Sequence, residues 1–305
     1  MRPRRDGALP AERLPLILEV APNADYALVD SGDGRKLERY GPYTIVRPEG
    51  QAIWRPALSE RDWARADAVF TGDTDEEGMG RWRFPKAPLG ETWPMRHDGI
   101  DYLGRFTSFR HVGVFPEQAT HWRHMEELIR GAKRPVKVLN LFGYTGLASL
   151  VAARAGAEVT HVDASKKAVG WARENAALNG ANARIVEGDI AAGFRALDLP
   201  PFDWAISNPP FFDDPGALRA PAPGKRGAWM ADDGLKAWTG FLLKAVREGG
   251  RIVVIHRADR LADLLGLLGD IDSVQRNTLR QGGTGENRAR KSSPRLARRR
   301  RPAQW

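Results

Sequence analysis

The sequence predicts an α/β fold with a mainly parallel sheet, preceded by a smaller β-rich region. From residue 136 onward, five short apolar runs alternate with helical segments, which is typical of parallel strands joined by crossover helices. Before that point, alternating runs are broken by turn residues, which indicates hairpins. The five runs are VKVLNLF, EVTHVDA, ARIVEGD, FDWAISN and RIVVIH.

The order of these patterns divides the chain into four parts. Residues 1–56 are predicted to form a small β-rich domain, with Ser31-Gly32-Asp33-Gly34 as a hairpin turn. Residues 57–120, rich in Trp, Gly and Pro, are predicted to form a connecting β-rich layer. Residues 121–272 hold the parallel sheet, which a helix in ATHWRHMEELIRGA introduces. Residues 273–305 lack apolar periodicity, so we expect a disordered basic tail.

Composition excludes several classes of protein. The 305 residues include no cysteine, which excludes disulfides, zinc thiolates and thiol nucleophiles. No apolar run approaches the roughly 18 residues of a membrane span, and the N-terminus lacks a secretory apolar segment. We therefore expect a cytoplasmic protein without metal or membrane. The net charge of +9 comes from residues 274–305, which hold ten Lys and Arg and one acid.

A candidate cofactor site follows the first of the five strands. That strand ends at Phe142 and enters Gly143-Tyr144-Thr145-Gly146, a turn before a helix whose N–H groups can hold a ligand. Asp163, twenty residues after Gly143, ends the next strand, where a carboxylate typically accepts ribose hydroxyls. Asp189 ends the third strand, within reach of an adenine amino group. Because G-x-G-x-x-G is absent, S-adenosylmethionine (SAM) is the predicted cofactor rather than a dinucleotide.

Two segments carry a family resemblance, GVFPEQATHW and VLNLFGYTGLASLVAARAGAEVTHVDASKKAVGWARENAALNG. Over roughly residues 14–180 the chain resembles the class I SAM-dependent methyltransferases of the large-subunit ribosomal RNA cytosine type. The resemblance implies a Rossmann-like fold. It also implies that Phe142 to Gly146 line the methionine part of the cofactor, that Asp163 holds the ribose, and that Gln118 lies near the cofactor.

A tetrapeptide with exposed acceptor groups follows the fourth strand, Asn208-Pro209-Pro210-Phe211. An exocyclic amine is a poor nucleophile because its lone pair is delocalised. The Asn208 side-chain oxygen and the Pro209 carbonyl, both acceptors, would orient such an NH₂ group and favour charge developing on nitrogen. The prolines stiffen the loop, and Phe211 is placed to stack on a base. These four residues are the predicted catalytic group, and Asn208 also borders the cofactor.

The sequence departs from the cytosine type, which carries an aspartate in place of Asn208 and a cysteine nucleophile. Covalent methylation of a ring carbon through a thiol is excluded. Residues 202–268, including NPPFFDDPGALRAPAPGKRGAWM, resemble instead the adenine-N6 methyltransferases of transfer RNA, and the two resemblances meet between residues 179 and 202. Both families close the sheet with two more strands. The tail offers no pattern for them, so either the sheet is truncated or the tail is foreign to the fold.

These observations predict a SAM-dependent methyltransferase acting on an exocyclic amine of an RNA base, with adenine-N6 in ribosomal or transfer RNA favoured over guanine-N2. Two alternatives stay open. The tetrapeptide also suits a glutamine amide, as in a protein glutamine-N5 methyltransferase, and a truncated sheet would suit a catalytically inactive RNA-binding protein. The sequence does not determine the oligomeric state.

Overall fold

The computed structural model describes residues 16–20, 22–72, 80–193, 196–210, 232–269 and 277–281. Within these ranges, no helix is long and apolar enough to cross a membrane. The same ranges contain no group of three or more His, Asp or Glu side chains that could hold a metal ion. Phe211 of the predicted catalytic group lies outside the described residues.

The N-terminal half contains a five-stranded sheet of order β2-β3-β4-β5-β6, whose neighbours are antiparallel except for the parallel pair β4–β5. The predicted hairpin turn is confirmed between β2 and β3. Asp33 and Gly34 have φ of 48° and 72°, the left-handed values that a primed turn requires. The elements of this half are β1 (Leu16–Val20), β2 (Tyr26–Gly32), β3 (Arg35–Tyr40), β4 (Tyr43–Pro48), α1 (Glu60–Trp63), β5 (Ala68–Gly72) and β6 (Gly80–Arg83).

This sheet corrects the predicted boundary at residue 56. Strands β5 and β6 come from the segment predicted as a separate connecting layer, yet they pair with β4 and with each other. A parallel pair needs a crossover connection, and the chain between β4 and β5 provides it through α1. Ser59 caps α1 in a capping box with Asp62. The composition change at residue 56 marks this crossover and not the end of a domain.

A hairpin and a helix link the two sheets along the chain. The helix α2 forms where the sequence predicted it, and its Trp122, Met125 and Ile129, spaced along one face, are buried. The elements are β7 (Thr92–His97), β8 (Ile100–Arg105), a 3-10 turn (Pro116–Gln118) and α2 (Ala119–Arg130).

The second half contains a parallel sheet of order β11-β10-β9-β12-β13, which confirms the predicted Rossmann-like fold. The chain builds outward from β9 to β11 and then crosses back to β12. The carboxyl ends of β9 and β12 therefore flank a topological switch point, where ligands bind in open α/β sheets. The elements are β9 (Lys137–Leu141), α3 (Leu147–Arg154), β10 (Glu158–Asp163), α4 (Lys166–Leu178), β11 (Ala183–Glu187), β12 (Phe202–Ser207), α5 (Asp232–Ala245), β13 (Val246–Val254) and α6 (Leu261–Leu268).

Apolar side chains cover both faces of the parallel sheet. Val138 packs into a cluster with residues of α2 and α3, whereas Leu139 and Leu141 pack with Trp238 and Leu242 of α5 on the other face. Burial on both faces explains why β9 has apolar residues at the consecutive positions Val138 and Leu139 rather than a strict alternation.

The described part of this sheet ends at β13. A short strand, β14 (Asn277–Gln281), pairs in parallel with β1 and is not part of the five-stranded sheet. The expected disorder of residues 273–305 is therefore wrong for these five residues. Their strand needs no apolar alternation, because backbone hydrogen bonds to β1 supply the pairing.

A buried polar group joins the N-terminal sheet to the chain before α2. We call Tyr26, Glu38, Tyr40 and Arg47 the Glu38 cluster. The Arg47 guanidinium donates to both carboxylate oxygens of Glu38 at 2.7 and 2.9 Å, and both tyrosine hydroxyls donate to Glu38 at 3.1 Å. Arg47 Nη1 also donates to the Arg110 carbonyl at 3.0 Å. Sequence reasoning missed this cluster, since charged residues in strands usually face solvent.

Candidate functional site

The turn after β9 has a backbone conformation that ordinary residues seldom adopt. Phe142 and Tyr144 have φ of 53° and 51°, in the left-handed region, and Gly146 follows with φ of 89°. Such residues cluster at ligand-binding sites, where the surrounding structure holds them in place. The buried Thr145 hydroxyl provides one such restraint by donating to the Gly113 carbonyl at 2.6 Å. Contacts within the protein therefore hold the turn in this conformation.

Gly143 lies directly on the ring of His161 in β10. A Cβ at residue 143 would stand 2.3 Å from Cε1 and from Nδ1 of that ring. Burial lowers the pKa of His161 to about 4, so the ring is neutral at pH 7. Its Nδ1 lies 3.1 Å from Ser149 Oγ, which also accepts from Asn140 Nδ2 at 2.9 Å. Sequence reasoning missed these three polar residues, because only the parallel register of β9 and β10 brings them under the turn.

Asp163, at the end of β10, forms hydrogen bonds to the segments that follow β9 and β11 as well as its own strand. Its Oδ2 accepts from the Tyr144 backbone N–H at 2.9 Å, and its Oδ1 accepts from the Ser165 N–H at 2.8 Å. Its main-chain carbonyl accepts from the Gly188 N–H beyond β11 at 2.9 Å. Burial raises the pKa of the Asp163 carboxyl, and the two N–H donors partly offset that effect. Each carboxylate oxygen keeps a further lone pair for a hydroxyl donor.

Two further predicted site residues, Asp189 and Gln118, lie in different parts of the fold. Asp189 follows Gly188 at the same edge of the sheet and is half-buried. Gln118 is buried at the end of the 3-10 turn. The segment that contains Gln118 packs on residues 142–146, the predicted cofactor turn, through Phe115. The Phe115 ring lies 5.5 Å from that of Tyr144. Within the described residues, no hydrogen bond from the Gln118 side chain reaches the turn.

Strand β12 brings the predicted tetrapeptide beside the turn. Because β12 pairs in parallel with β9, Asn208 follows its strand at the level of Phe142. Ser207 is held from two sides, since its hydroxyl accepts from Trp238 Nε1 at 2.9 Å and its carbonyl from the Ile255 N–H at 3.0 Å. Asn208 Oδ1 is buried and has no donor among the described residues. Such an acceptor costs about 1–3 kcal/mol, which a ligand donor would offset.

The prolines that follow are placed differently from each other. Pro209 is buried and Pro210 is half-buried. Both precede the undescribed residues 211–231, which contain the predicted stacking residue Phe211. The structure therefore brings together Asn208, Pro209, the cofactor turn and Asp163.

The chemistry of these residues fits SAM. Helix α3 begins after Gly146 without a capping side chain, so the N–H groups of its first turn are available to a carboxylate. Asp163 would hold the ribose hydroxyls, and the orphaned Asn208 oxygen offers an acceptor on the other side of β9. These features stand at the ends of β9, β10 and β12, around the switch point of the sheet.

A solved structure decides the family. The chain is 46% identical to the SAM-dependent methyltransferase from Agrobacterium tumefaciens, with 87% of this chain and 83% of that chain covered and a TM-score of 0.71. The chain belongs to the SAM-dependent methyltransferases. The methyltransferase also shares its fold with a putative methyltransferase that was solved as a complex with S-adenosylhomocysteine (SAH). The two are 18% identical, the match covers 79% of this chain and 66% of that chain, and the TM-score is 0.57.

Two further comparisons agree with this assignment. The family profile "Methyltransferase small domain" matches residues 125–219 of the methyltransferase, which include residues 179–202 between the two resemblances. The chain is 38% identical over 120 residues to the "Ribosomal RNA large subunit methyltransferase K/L" of Psychrobacter sp. (strain PRwf-1). That match covers 39% of this chain and spans only 14% of the relative's length. The cofactor of the methyltransferase is SAM, as predicted.

Gly143→Ala is expected to weaken the binding of SAH at least about ten-fold, a loss of about 1.4 kcal/mol. The reason is the contact of 2.3 Å that a Cβ would make with His161, which forces the turn or the ring to move. Isothermal titration calorimetry of the purified protein measures the change. The matched control is Gly170→Ala in α4, where a Cβ meets nothing within 4 Å. Equal SAH affinity of Gly143→Ala and wild type would contradict the assignment of this turn.

Proposed function

We propose that this methyltransferase transfers a methyl group to an exocyclic amine of an RNA base, with adenine-N6 as the acceptor. The observation that carries the proposal is the buried Asn208 Oδ1, which has no donor among the described residues and stands level with the cofactor turn. An acceptor in this position is complementary to the N–H of a planar amine and has no other role in the described fold.

Bound SAM supplies an electrophilic methyl carbon on a sulfonium and leaves as SAH. Asn208 Oδ1 and the Pro209 carbonyl would each accept one N–H of the acceptor amine. Both acceptors stabilise the positive charge that develops on nitrogen as the C–N bond forms and the S–C bond breaks. The nitrogen then loses one proton to solvent, so no catalytic base is required. The anchoring of Ser207 by Trp238 and Ile255 keeps the acceptor oxygens in place during transfer.

The choice of RNA as substrate is supported by the relative described above, whose name gives ribosomal RNA as its substrate. That protein is much longer than this chain, so its substrate is carried over here only as part of the proposal. The resemblance of residues 202–268 to adenine-N6 methyltransferases favours adenine as the base.

The test is transfer of tritiated methyl groups from SAM to total RNA, ribosomal RNA and transfer RNA fractions. Nuclease digestion and chromatography then identify the labelled nucleoside, with N6-methyladenosine expected. Labelled N2-methylguanosine would correct the base and retain the reaction class. A product sensitive to protease and resistant to nuclease would replace the proposal with a glutamine-N5 methyltransferase. SAH binding without transfer to any fraction would contradict the RNA proposal.

A further inference from the structure

A row of four aromatic rings passes through the cofactor turn. The ring centroids of His111 and Phe115 are 4.7 Å apart, those of Phe115 and Tyr144 are 5.5 Å apart, and those of Tyr144 and Trp171 are 6.1 Å apart. All four residues are half-buried, so each keeps part of its surface in solvent. Because Tyr144, the third ring, belongs to the turn, the row passes along the predicted cofactor site.

Two cations lie against the last ring of the row, Trp171 in α4. The Arg105 guanidinium is 5.1 Å from the ring centroid, and the Lys167 ammonium is 5.3 Å from it. Arg105 is buried and forms an ion pair with Glu174, so its charge is balanced. Lys167 is exposed, and the described part of the chain contains no ion pair to it. The outer cation at this ring is therefore uncompensated.

Lys166 and Lys167 lie at the N-terminus of α4, where positive charges lower the stability of a helix. They open α4 after the cap residue Ser165, and the first turn contains no acidic residue. Cations at a helix N-terminus oppose the helix dipole, whereas acids there would be favourable. The nearby Asp163 has both carboxylate oxygens engaged by backbone N–H groups. Two exposed lysines therefore stand side by side beside the aromatic row with no acidic residue in the first turn of their helix, which makes this surface complementary to an anion.

We infer that the surface formed by Phe115, Tyr144, Trp171, Lys166 and Lys167 binds the single-stranded RNA next to the acceptor nucleotide. The inference rests on the proposed function. An acceptor base must leave its stack to reach a buried amine site, which costs least where the strand is already unpaired, so we expect its neighbours to be single-stranded. Aromatic side chains stack on such bases, and lysines at the same surface bind the phosphates between them. The charge of the lysine pair and the ring row beside it are complementary to both parts of the strand.

The first test is the double charge reversal Lys166→Glu with Lys167→Glu. We expect KM for RNA to rise at least about ten-fold. The slope of log KM against log salt concentration should fall in magnitude by about 1.4, which is the value for the loss of two phosphate contacts to a single strand. SAH affinity should stay within about two-fold of wild type, and the melting temperature should stay equal or rise, because acids favour a helix start. The matched control is Lys133→Glu, an exposed lysine distant from the turn and without an ion pair in the described part, which should leave KM unchanged.

The second test concerns the ring of Trp171. Trp171→Leu keeps apolar bulk but removes the ring against which Lys167 lies, so KM for RNA should rise about ten-fold with SAH affinity unchanged. Trp171→Phe keeps a ring and should recover most of the wild-type KM, which a purely structural role would not predict.

The outcomes separate this inference from the proposed function. If wild type transfers methyl groups to RNA and both the lysine double variant and Trp171→Leu retain the wild-type KM, the surface is not an RNA site and the proposed function stands. If wild type transfers no methyl group to any RNA, both fail.

Discussion

Asn208→Ala is expected to lower kcat for methyl transfer about 100- to 1,000-fold, the usual loss when one group that stabilises transition-state charge is removed. The variant should still bind SAH with nearly wild-type affinity, because the turn and Asp163 remain intact. Its melting temperature should stay equal or rise, since the substitution removes a buried acceptor that has no donor in the described fold. Single-turnover methylation with tritiated SAM measures the loss of transfer, and thermal unfolding with and without SAH measures the other two effects.

Asn208→Asp serves as the conservative variant for this prediction. An aspartate keeps an acceptor oxygen at the same position, so it should retain more activity than alanine does. A purely structural role for Asn208 gives the opposite pattern, with lower stability and with activity that falls only as the folded fraction falls. A wild-type kcat for the Asn208→Ala variant would show that Asn208 takes no part in methyl transfer.

Arg47→Met is expected to reduce the free energy of unfolding by about 3–5 kcal/mol, the cost of leaving one partner of a buried ion pair alone. Glu38 is fully buried, and Arg47 supplies two of the hydrogen bonds to its carboxylate. The substitution also takes a donor from the Arg110 carbonyl. Urea unfolding at pH 7 measures the loss. The control is Arg130→Met, which removes an exposed ion pair with Glu126 on α2 and should have a much smaller effect.

The pH dependence of this variant provides a second readout. In wild type, burial alone would raise the pKa of Glu38, but Arg47 and Lys36 hold it below its usual value. The ion pair therefore contributes stability above the unfolded-state pKa of a glutamate, about 4.3, which is lost as pH falls further. Without Arg47, burial dominates and raises the folded pKa, so protonation stabilises the variant.

The difference in stability between wild type and Arg47→Met should therefore shrink as pH falls from 7 toward 4. Glu38→Leu combined with Arg47→Met should recover part of the loss at pH 7, because no charge is then left buried. A deficit that is independent of pH, with no recovery in the double variant, would contradict this account.

Local sequence patterns predicted much of the fold. The five strands of the parallel sheet lie where the apolar runs predicted them, because strands of a sheet covered on both faces carry apolar residues at adjacent positions. Glycine and aspartate at successive strand ends indicated the cofactor site, because parallel strands bring their carboxyl ends to one edge. The roles of all the predicted site residues remain predictions: Gln118, Phe142 to Gly146, Asp163, Asp189 and Asn208 to Phe211.

Other features depended on pairing between distant segments. The extension of the N-terminal sheet to β6 follows from one parallel pair, β4–β5, across a crossover of about twenty residues. The strand β14 exists because β1, more than 250 residues earlier, pairs with it. Neither pairing has a local pattern, because backbone hydrogen bonds are the same for every residue type except proline.

The sequence by itself determined that this protein has a parallel α/β sheet and that no thiol takes part in its chemistry, and it predicted a SAM site at the strand ends. Periodicity, glycine and composition are local properties, so a single chain displays them. Tertiary structure alone decided that His161 supports Gly143, that Glu38 and Arg47 form a buried pair, and that Asn208 Oδ1 lacks a donor in the described residues. Burial and partnership arise from neighbours distant in sequence, so only the folded chain can show which polar groups are satisfied and which are left for a ligand.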